Sequence, residues 1–388
     1  MNRDIYLDNS ATTRICDEAL EKYVKTSKEC WGNPSSLHGM GFAAEGEVKS
    51  AREAVRRSLG ANDATVVFCA SGSEANNLAI IGRATSKERY KKGAKIITTM
   101  GEHASVEKPL EYLASQGYTV AYIPTVGGEI DMAALEREMT RDVILVTMMM
   151  VNNETGALYD TATVARMMKV RCPDAALHVD ATQSYMKFPF TKASLGADMI
   201  TVSSHKIEGP KGVGALIIDK EIIKKRDIAP MVLGGGQEGG LRSGTENVPA
   251  IAAFGEAVRV AEKNLRANYA YVKGLRDYLI ERLEREVPQV SITKPKKAAP
   301  HILNITLPKI KSETMLHFLS SYNIYVSSGS ACSSNSAHTS SALVAFGRSA
   351  EEADYSIRIS LCHRNTNEDV DAFIDTLKVG LEKLSRVR

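Results

Sequence analysis

The sequence predicts an α/β fold on a mostly parallel sheet, and three observations carry that expectation. Short apolar runs recur at 96–99, 143–149, 177–180, 199–203 and 214–218; helical patterns separate them; and polar residues suited to chemistry gather where the runs end. Strands that alternate with helices return to one sheet by right-handed crossovers, which makes neighbouring strands parallel. Between the first two runs, residues 105–116 read as a helix, with Ser105 able to cap it and Pro109 near its first turn, where proline is tolerated. From Glu246 to about Glu286 the pattern turns helical over two long segments, and after the KPKKAAP stretch at 294–300 a shorter α+β pattern begins. At 388 residues the chain is too long for one simple core. A large domain over 15–261 and a smaller one built from 1–14 and 262–388 are expected.

Composition narrows the function. With 44% hydrophobic and 24% charged residues the chain lies in the ordinary globular range. Its 49 basic against 46 acidic residues leave +3, too balanced to imply a nucleic-acid or anionic-membrane partner. The opening MNRDIYLDNS lacks the basic start and apolar stretch of a secretory signal, and the longest apolar run, 143–151, is about half of what a bilayer requires, so a cytoplasmic protein is expected. Six cysteines, at 16, 30, 69, 172, 332 and 362, form no C-x-x-C pair, and no His cluster has zinc-ligand spacing; neither a disulfide framework nor a metal site is expected. Each cysteine reads as a small buried apolar residue unless its surroundings say otherwise.

The run 177–180 ends on Asp180, with Gln183 three residues on, and the run 199–203 leads straight into His205 and Lys206. Open parallel sheets bind ligands beyond the carboxyl ends of their strands. A desolvated lysine there shifts towards the neutral amine that attacks an aldehyde, and a nearby aspartate can hold the pyridinium nitrogen of pyridoxal phosphate protonated. Taken singly, such a lysine reads as a surface charge and such an aspartate as a cap; their conjunction points to a site. Ala70-Ser71-Gly72-Ser73-Glu74 opens a helical run and offers free N–H groups, a hydroxyl and a helix N-terminus to a phosphate, though it also reads as a plain capped helix start.

Nine blocks then stand in order: YLDNSATT at 6–13, GNPSSLH at 32–38, EHASV at 102–106, VNNETG at 151–156, HVDATQS at 178–184, SSHKIEGPKGVGA at 203–215, GGGQEGGLRSGTENV at 234–248, SSGSACSS at 327–334 and SIRISL at 356–361. Together they resemble the NifS/IscS-type cysteine desulfurases, class V aminotransferase-like members of the fold-type I pyridoxal-phosphate enzymes. The resemblance implies a seven-stranded, mostly parallel sheet in the large domain, an α+β small domain, pyridoxal 5'-phosphate as cofactor and a homodimer. It implies that Lys206 forms the Schiff base, that His103 stacks on the ring and moves protons, that Asp180 pairs with the ring nitrogen, and that Gln183 and Asn153 lie by the ring oxygen. It further implies phosphate binding by Gly72, Ser73, Ser203 and His205, with Thr245 reaching in from the neighbouring subunit, and substrate carboxylate binding by Arg358 with Asn153.

His103 at the start of a helix agrees with those roles, because the helix dipole there favours a neutral imidazole. His178 reads as structural; His38 and His363 have no assignment. Cys332 lies in SSGSACSSNSAHTSS at 327–341, where eight of fifteen positions are serine, and such a segment is expected not to pack and to be mobile. Read alone it is a loop with an incidental cysteine; the resemblance makes Cys332 the nucleophile that takes sulfur from L-cysteine as a persulfide and passes it to an iron-sulfur scaffold or a thiolation enzyme. An aminotransferase or another lyase of the same fold would share Lys206, Asp180 and Arg358, with Cys332 telling them apart; a selenocysteine lyase could act without that thiol, and intact Lys206 and Cys332 argue against a non-catalytic partner. Three departures from the family pattern stand out: Ser73 where a threonine is more usual, Glu208 where a tyrosine is common, and a chain that stops at LEKLSRVR.

Overall fold

The computed structural model describes residues 3–86, 94–328 and 340–385. Its strands are β1 (Ile5–Tyr6), β2 (Thr65–Cys69), β3 (Lys95–Thr99), β4 (Thr119–Ile123), β5 (Val143–Met149), β6 (Ala176–Asp180), β7 (Met199–Ser203), β8 (Gly214–Ile218), β9 (Ser291–Thr293), β10 (Ile302–Thr306), β11 (Ile324–Tyr325), β12 (Ser327–Ser328) and β13 (Ser356–Ser360). The main sheet has seven strands in the order β2-β8-β7-β6-β5-β3-β4. Only β8 opposes its neighbours, so the sheet is mixed but mostly parallel.

β5 to β8 are buried at every position, which explains their unbroken apolar runs in the sequence: helices cover both faces. β2 and β4 were absent from the runs read in the sequence. β4 is an edge strand with a half-exposed pattern and so carries a weak signal, whereas β2, TVVFC, is buried at four of five positions and its apolar run was open to reading.

A second, antiparallel sheet runs β12-β13-β10-β9, and β1 pairs in parallel with β11, tying the N-terminus to the later part of the chain. Leu7 accordingly packs in the apolar cluster of Val272, Leu303, Ile357, Phe373 and Leu381, apart from the clusters on the main sheet. The helical stretch expected as two segments is one helix, Val248–Glu286. Its buried face lapses between Val258 and Val272, where the sequence looks like a break, but no proline interrupts the backbone. Among the described residues no helix is long and apolar enough to cross a membrane.

Candidate active site

Beyond β7 the chain makes one 3-10 turn, Ser204–Lys206, and beyond β2 it enters the helix Gly72–Asn77. These turns, the ends of β5 and β6, and β12 and β13 enclose a pocket of about 520 Å³. Lys206, Asp180, Gln183, Asn153, His103 and Arg358 all line it. So do Gly72, Ser73, Ser203 and His205. Ten residues drawn from between positions 72 and 358 thus meet at one place.

The Asp180 carboxylate is fixed from two sides: Oδ1 accepts from the Thr182 N–H at 2.9 Å and Oδ2 from Asn76 Nδ2 at 2.8 Å. Asn76 also donates to Ser105 Oγ at 2.9 Å, and that hydroxyl lies 2.8 Å from His103 Nδ1. A short polar chain therefore links the aspartate to the histidine. The helix begins at Ala104, with His103 as its N-cap rather than Ser105: His103 Nδ1 accepts from the Ser105 N–H at 3.1 Å. Nδ1 is thereby an acceptor, which leaves the neutral ring's proton on Nε2. Burial holds the His103 pKa below its ordinary value, opposed by Asp180 and assisted by Lys206 and Arg358, so desolvation rather than the helix dipole is the main cause. Pro109 sits in the second turn of that helix, not the first.

Just before His103, Glu102 is buried and pushed up to about 8 by desolvation, against hydrogen bonds from Thr99 and the Met149 N–H. It pins the end of β5 to the turn that presents His103. Arg358 is 6% exposed; Nη2 meets Asp8 at 2.9 Å, Nη1 donates to the Asn153 carbonyl at 2.8 Å, and Nε has no partner. The Lys206 amine donates to the carbonyls of Ser10 at 2.5 Å and Ala11 at 2.8 Å. His205 is pushed down to about 4, first by burial and then by Lys206 and Lys211. His178, inside β6, has Thr147 on one ring nitrogen at 2.8 Å and Thr201 on the other at 3.0 Å, which makes it structural. His38 caps the helix Gly39–Ser58, and His363 faces Glu208 at 3.5 Å.

One expected site residue lies outside the described residues, and one is not at the pocket. Thr245 is exposed and does not line it. Cys332 lies outside the described residues, but the described ends of its segment meet the pocket: Ser327 and Ser328 line it, and Ser340 Oγ donates to the lining residue Glu154 at 2.5 Å. Those ends are a strand and a helix N-cap, so the expectation of an unpacked 327–341 does not hold for them. The sequence reading missed Asp8, Ser10, Asn76 and Glu154 as lining residues. Asp8, Ser10 and Glu154 sit in blocks that were recognised, so the signal was present, whereas nothing marks Asn76 apart from its place after Ser73.

Unfilled polar atoms show what the pocket suits. Ser203 Oγ, Gln183 Oε1 and Ser10 Oγ are buried without a partner. A Cβ on Gly72 would lie 3.2 Å from Ser203 Cβ and 3.3 Å from Thr182 Oγ1, and one on Gly214 would lie 2.7 Å from the Ser71 carbonyl carbon, so the loop at 70–73 is shaped around glycine. A helix N-terminus with orphan hydroxyls beside it fits a phosphate, and an amine and a carboxylate on the same wall fit a pyridoxal ring.

The class-V aminotransferase family model matches residues 5–373. The chain belongs to that family, in its cysteine desulfurase branch. A cysteine desulfurase IscS 1 of Archaeoglobus fulgidus is 36% identical over 380 residues, 98% of this chain and 97% of the relative. A cysteine desulfurase IscS of Salmonella arizonae is 38% identical over 389 residues, 99% and 94% of the two chains. Among solved structures, a NifS-like protein superposes with a TM-score of 0.89 at 35% identity, covering 99% of this chain and all of the other. A NifS-like protein from Rickettsia africae gives 0.87 at 33% identity, covering 98% and 100%. Pyridoxal 5'-phosphate is the cofactor of this enzyme family.

Proposed function

We propose that this chain is a cysteine desulfurase that converts L-cysteine to L-alanine and carries the released sulfur as a persulfide on Cys332. The observation that supports it most is the convergence of Lys206, Asp180, His103 and Arg358, from four separate parts of the chain, on one pocket. Bound pyridoxal phosphate supplies an electron sink next to the substrate's Cα.

Around it, Lys206 takes the Cα proton as a neutral amine. Asp180, fixed by Asn76 and the Thr182 N–H, holds the proton on the ring nitrogen. His103 covers the ring and moves protons through Nε2. Gln183 and Asn153 serve the ring oxygen, and Gly72, Ser73, Ser203 and His205 hold the phosphate. Arg358 binds the substrate carboxylate, oriented by Asp8 and the Asn153 carbonyl. The Cys332 thiolate attacks the substrate Sγ; the new S–S bond forms as the Sγ–Cβ bond breaks, its electron pair passes to the carbon skeleton, and a proton added at Cβ completes alanine. A free thiol ionises near pH 8.5, so His103 or the substrate amine takes the Cys332 proton.

The working unit is a homodimer in which Thr245, exposed in one chain, serves the pocket of the other; the exposed Trp31, Leu37 and Leu233 supply apolar surface for the contact. The chain works as a large domain over 15–261 and a small domain over 1–14 and 262–388, a division supported by the separate apolar cluster that joins Leu7 to Val272 and later residues. The enzyme is cytoplasmic and hands its sulfur to an acceptor protein, an iron-sulfur scaffold or a thiolation enzyme.

The test is release of alanine and sulfide from L-cysteine with a reductant present, for the intact chain, Cys332→Ala and Lys206→Ala. Equal amounts of both products, lost in both variants, are expected. Full activity of Cys332→Ala would replace the persulfide route with a lyase or aminotransferase reaction.

A further inference from the structure

The helix Ser341–Phe346, the first described element after Cys332, rests on the turns that build the cofactor pocket. Its N-cap, Ser340, accepts the Leu343 N–H at 3.1 Å and donates its own hydroxyl proton to Glu154 Oε2 at 2.5 Å. The next hydroxyl, on Ser341, donates to Glu107 Oε1 at 3.2 Å. Ala342 then packs on Gly101: a Cβ on that glycine would lie 2.8 Å from Ala342 Cα, and Gly101 takes a φ of +77°. Gly101 belongs to the turn that presents His103, and its carbonyl accepts from Asn152 Nδ2 at 3.1 Å. Three consecutive residues, 340 to 342, thus contact three separate parts of the site's surroundings, at 154, 107 and 101.

Two carboxyls are committed to this contact, and the reaction derived above uses neither. Desolvation pushes Glu154 up to about 7, with the Ser340 hydroxyl and then Arg358 opposing the rise. Desolvation raises Glu107 as well, opposed first by Ser341. An apolar contact would dock a short helix without taking carboxyls out of water. What a hydrogen bond adds is direction, because it fixes an angle as well as a distance.

The place of Glu154 shows what needs directing. It lines the pocket, and its neighbour Asn153 gives its carbonyl to Arg358 Nη1 at 2.8 Å. At the other described end of the Cys332 segment, β12 pairs with β13 so that Ser327 lies opposite Arg358. Both described ends of the segment are therefore tied to the surroundings of Arg358. We infer that Glu154 is a positioning residue for sulfur transfer: by holding Ser340 it fixes the downstream end of the Cys332 segment beside the arginine that binds the substrate carboxylate. Glu107 braces the adjoining Ser341. The inference rests on the desulfurase reading, in which Cys332 attacks the substrate Sγ, and reactions of that kind lose rate steeply when one partner is displaced by as little as an ångström.

The test separates two steps in the holoenzyme. Lys206 takes the Cα proton without Cys332, so Cα exchange of L-alanine in deuterium oxide reports that step; persulfide formed on Cys332 in a single turnover of L-cysteine reports the other. In Glu154→Ala and in Ser340→Ala the ratio of persulfide formation to Cα exchange falls by about tenfold or more, the loss of a hydrogen bond to a charged group. Glu154→Gln, which still accepts the hydroxyl, restores most of it, and the double alanine variant is no worse than either single one. Hydrogen exchange at the amides of 341–346 is faster in Glu154→Ala than in the intact chain. The inference is overturned if the ratio is unchanged in both single variants, if the two rates fall together as for a general loss of structure, or if the two substitutions add in full. An intact chain that forms no persulfide overturns the desulfurase reading and the transfer role with it, while hydrogen exchange still decides whether Glu154 holds the helix.

Discussion

In the cofactor pocket Arg358 has Asp8 at 2.9 Å, Asp180 has Asn76 at 2.8 Å, and His103 has Ser105 at 2.8 Å. In the cavity lined by Lys187, Glu208 and His301, neither Lys187 nor the His301 ring makes a side-chain hydrogen bond or ion pair among the described residues. The first set is pre-organised: each charge is aimed before any ligand arrives, so little reorganisation remains when one binds. The second set is looser: Lys187 is partly exposed to solvent, and Glu18, Glu208 and Arg364 line the same cavity. Side-chain pairing within the protein thus separates groups that direct chemistry from groups that do not.

The comparison is broken most directly at the two lysines. Lys206→Ala removes the proposed base, and turnover of L-cysteine falls by about 10²–10⁴-fold, as loss of a positioned acid-base group predicts. Steady-state alanine release measures it; a fall of less than about tenfold would remove Lys206 from the reaction. Arg358→Lys comes next. A lysine keeps the charge but not the planar fork that reaches Asp8, the Asn153 carbonyl and a carboxylate together, so kcat/KM for L-cysteine falls about 10- to 100-fold. The loss should fall mainly on KM; a change confined to kcat would assign Arg358 to the chemistry instead.

What the sequence revealed and what it hid follow from the same contrast. β5, β7 and β8 were read to the residue because both faces of those strands are buried and the apolar runs are continuous. The cofactor-pocket residues were readable because strand ends and short motifs carry them. The helix Val248–Glu286 was read as two because its burial changes sides of the molecule midway, a tertiary event that no local pattern encodes. His103 is the cap rather than Ser105 because the helix starts at Ala104 and the His103 ring accepts the Ser105 amide. The second cavity could not be read: Lys187, Glu208, His301 and Cys362 come together only through folding, and of the four only Glu208 lies in a recognised block.

A third effect is on stability against pH, and it compares two buried histidines. His178 is pushed down to about 4 and His301 to about 3, both chiefly by burial. In each case the unfolded chain takes up a proton near pH 6.5 while the folded chain does not, so stability is complete above pH 6.5 and is lost as pH falls towards the folded value. Between pH 6.5 and 5 each residue costs about 2 kcal/mol, at 1.36 kcal/mol per pH unit. Urea unfolding at pH 7 and pH 5 measures the sum, and His301→Leu should flatten the acid limb by its own share. An unchanged limb would mean that His301 is already charged or already partnered.

The smallest effect, and the sharpest for the comparison, is Lys187→Met. The Lys187 pKa is lowered by burial, so below its ordinary value near 10.5 the unfolded chain holds the proton more tightly than the folded chain does, and stability at pH 7 is reduced. Methionine fills the same space without the charge, and a gain of about 1 kcal/mol at pH 7 is expected from thermal unfolding of the ligand-free protein, shrinking as pH rises towards 10.5. A variant less stable than the parent would mean that Lys187 is already compensated within the fold, and the contrast in pairing between the two sites would fail at that residue.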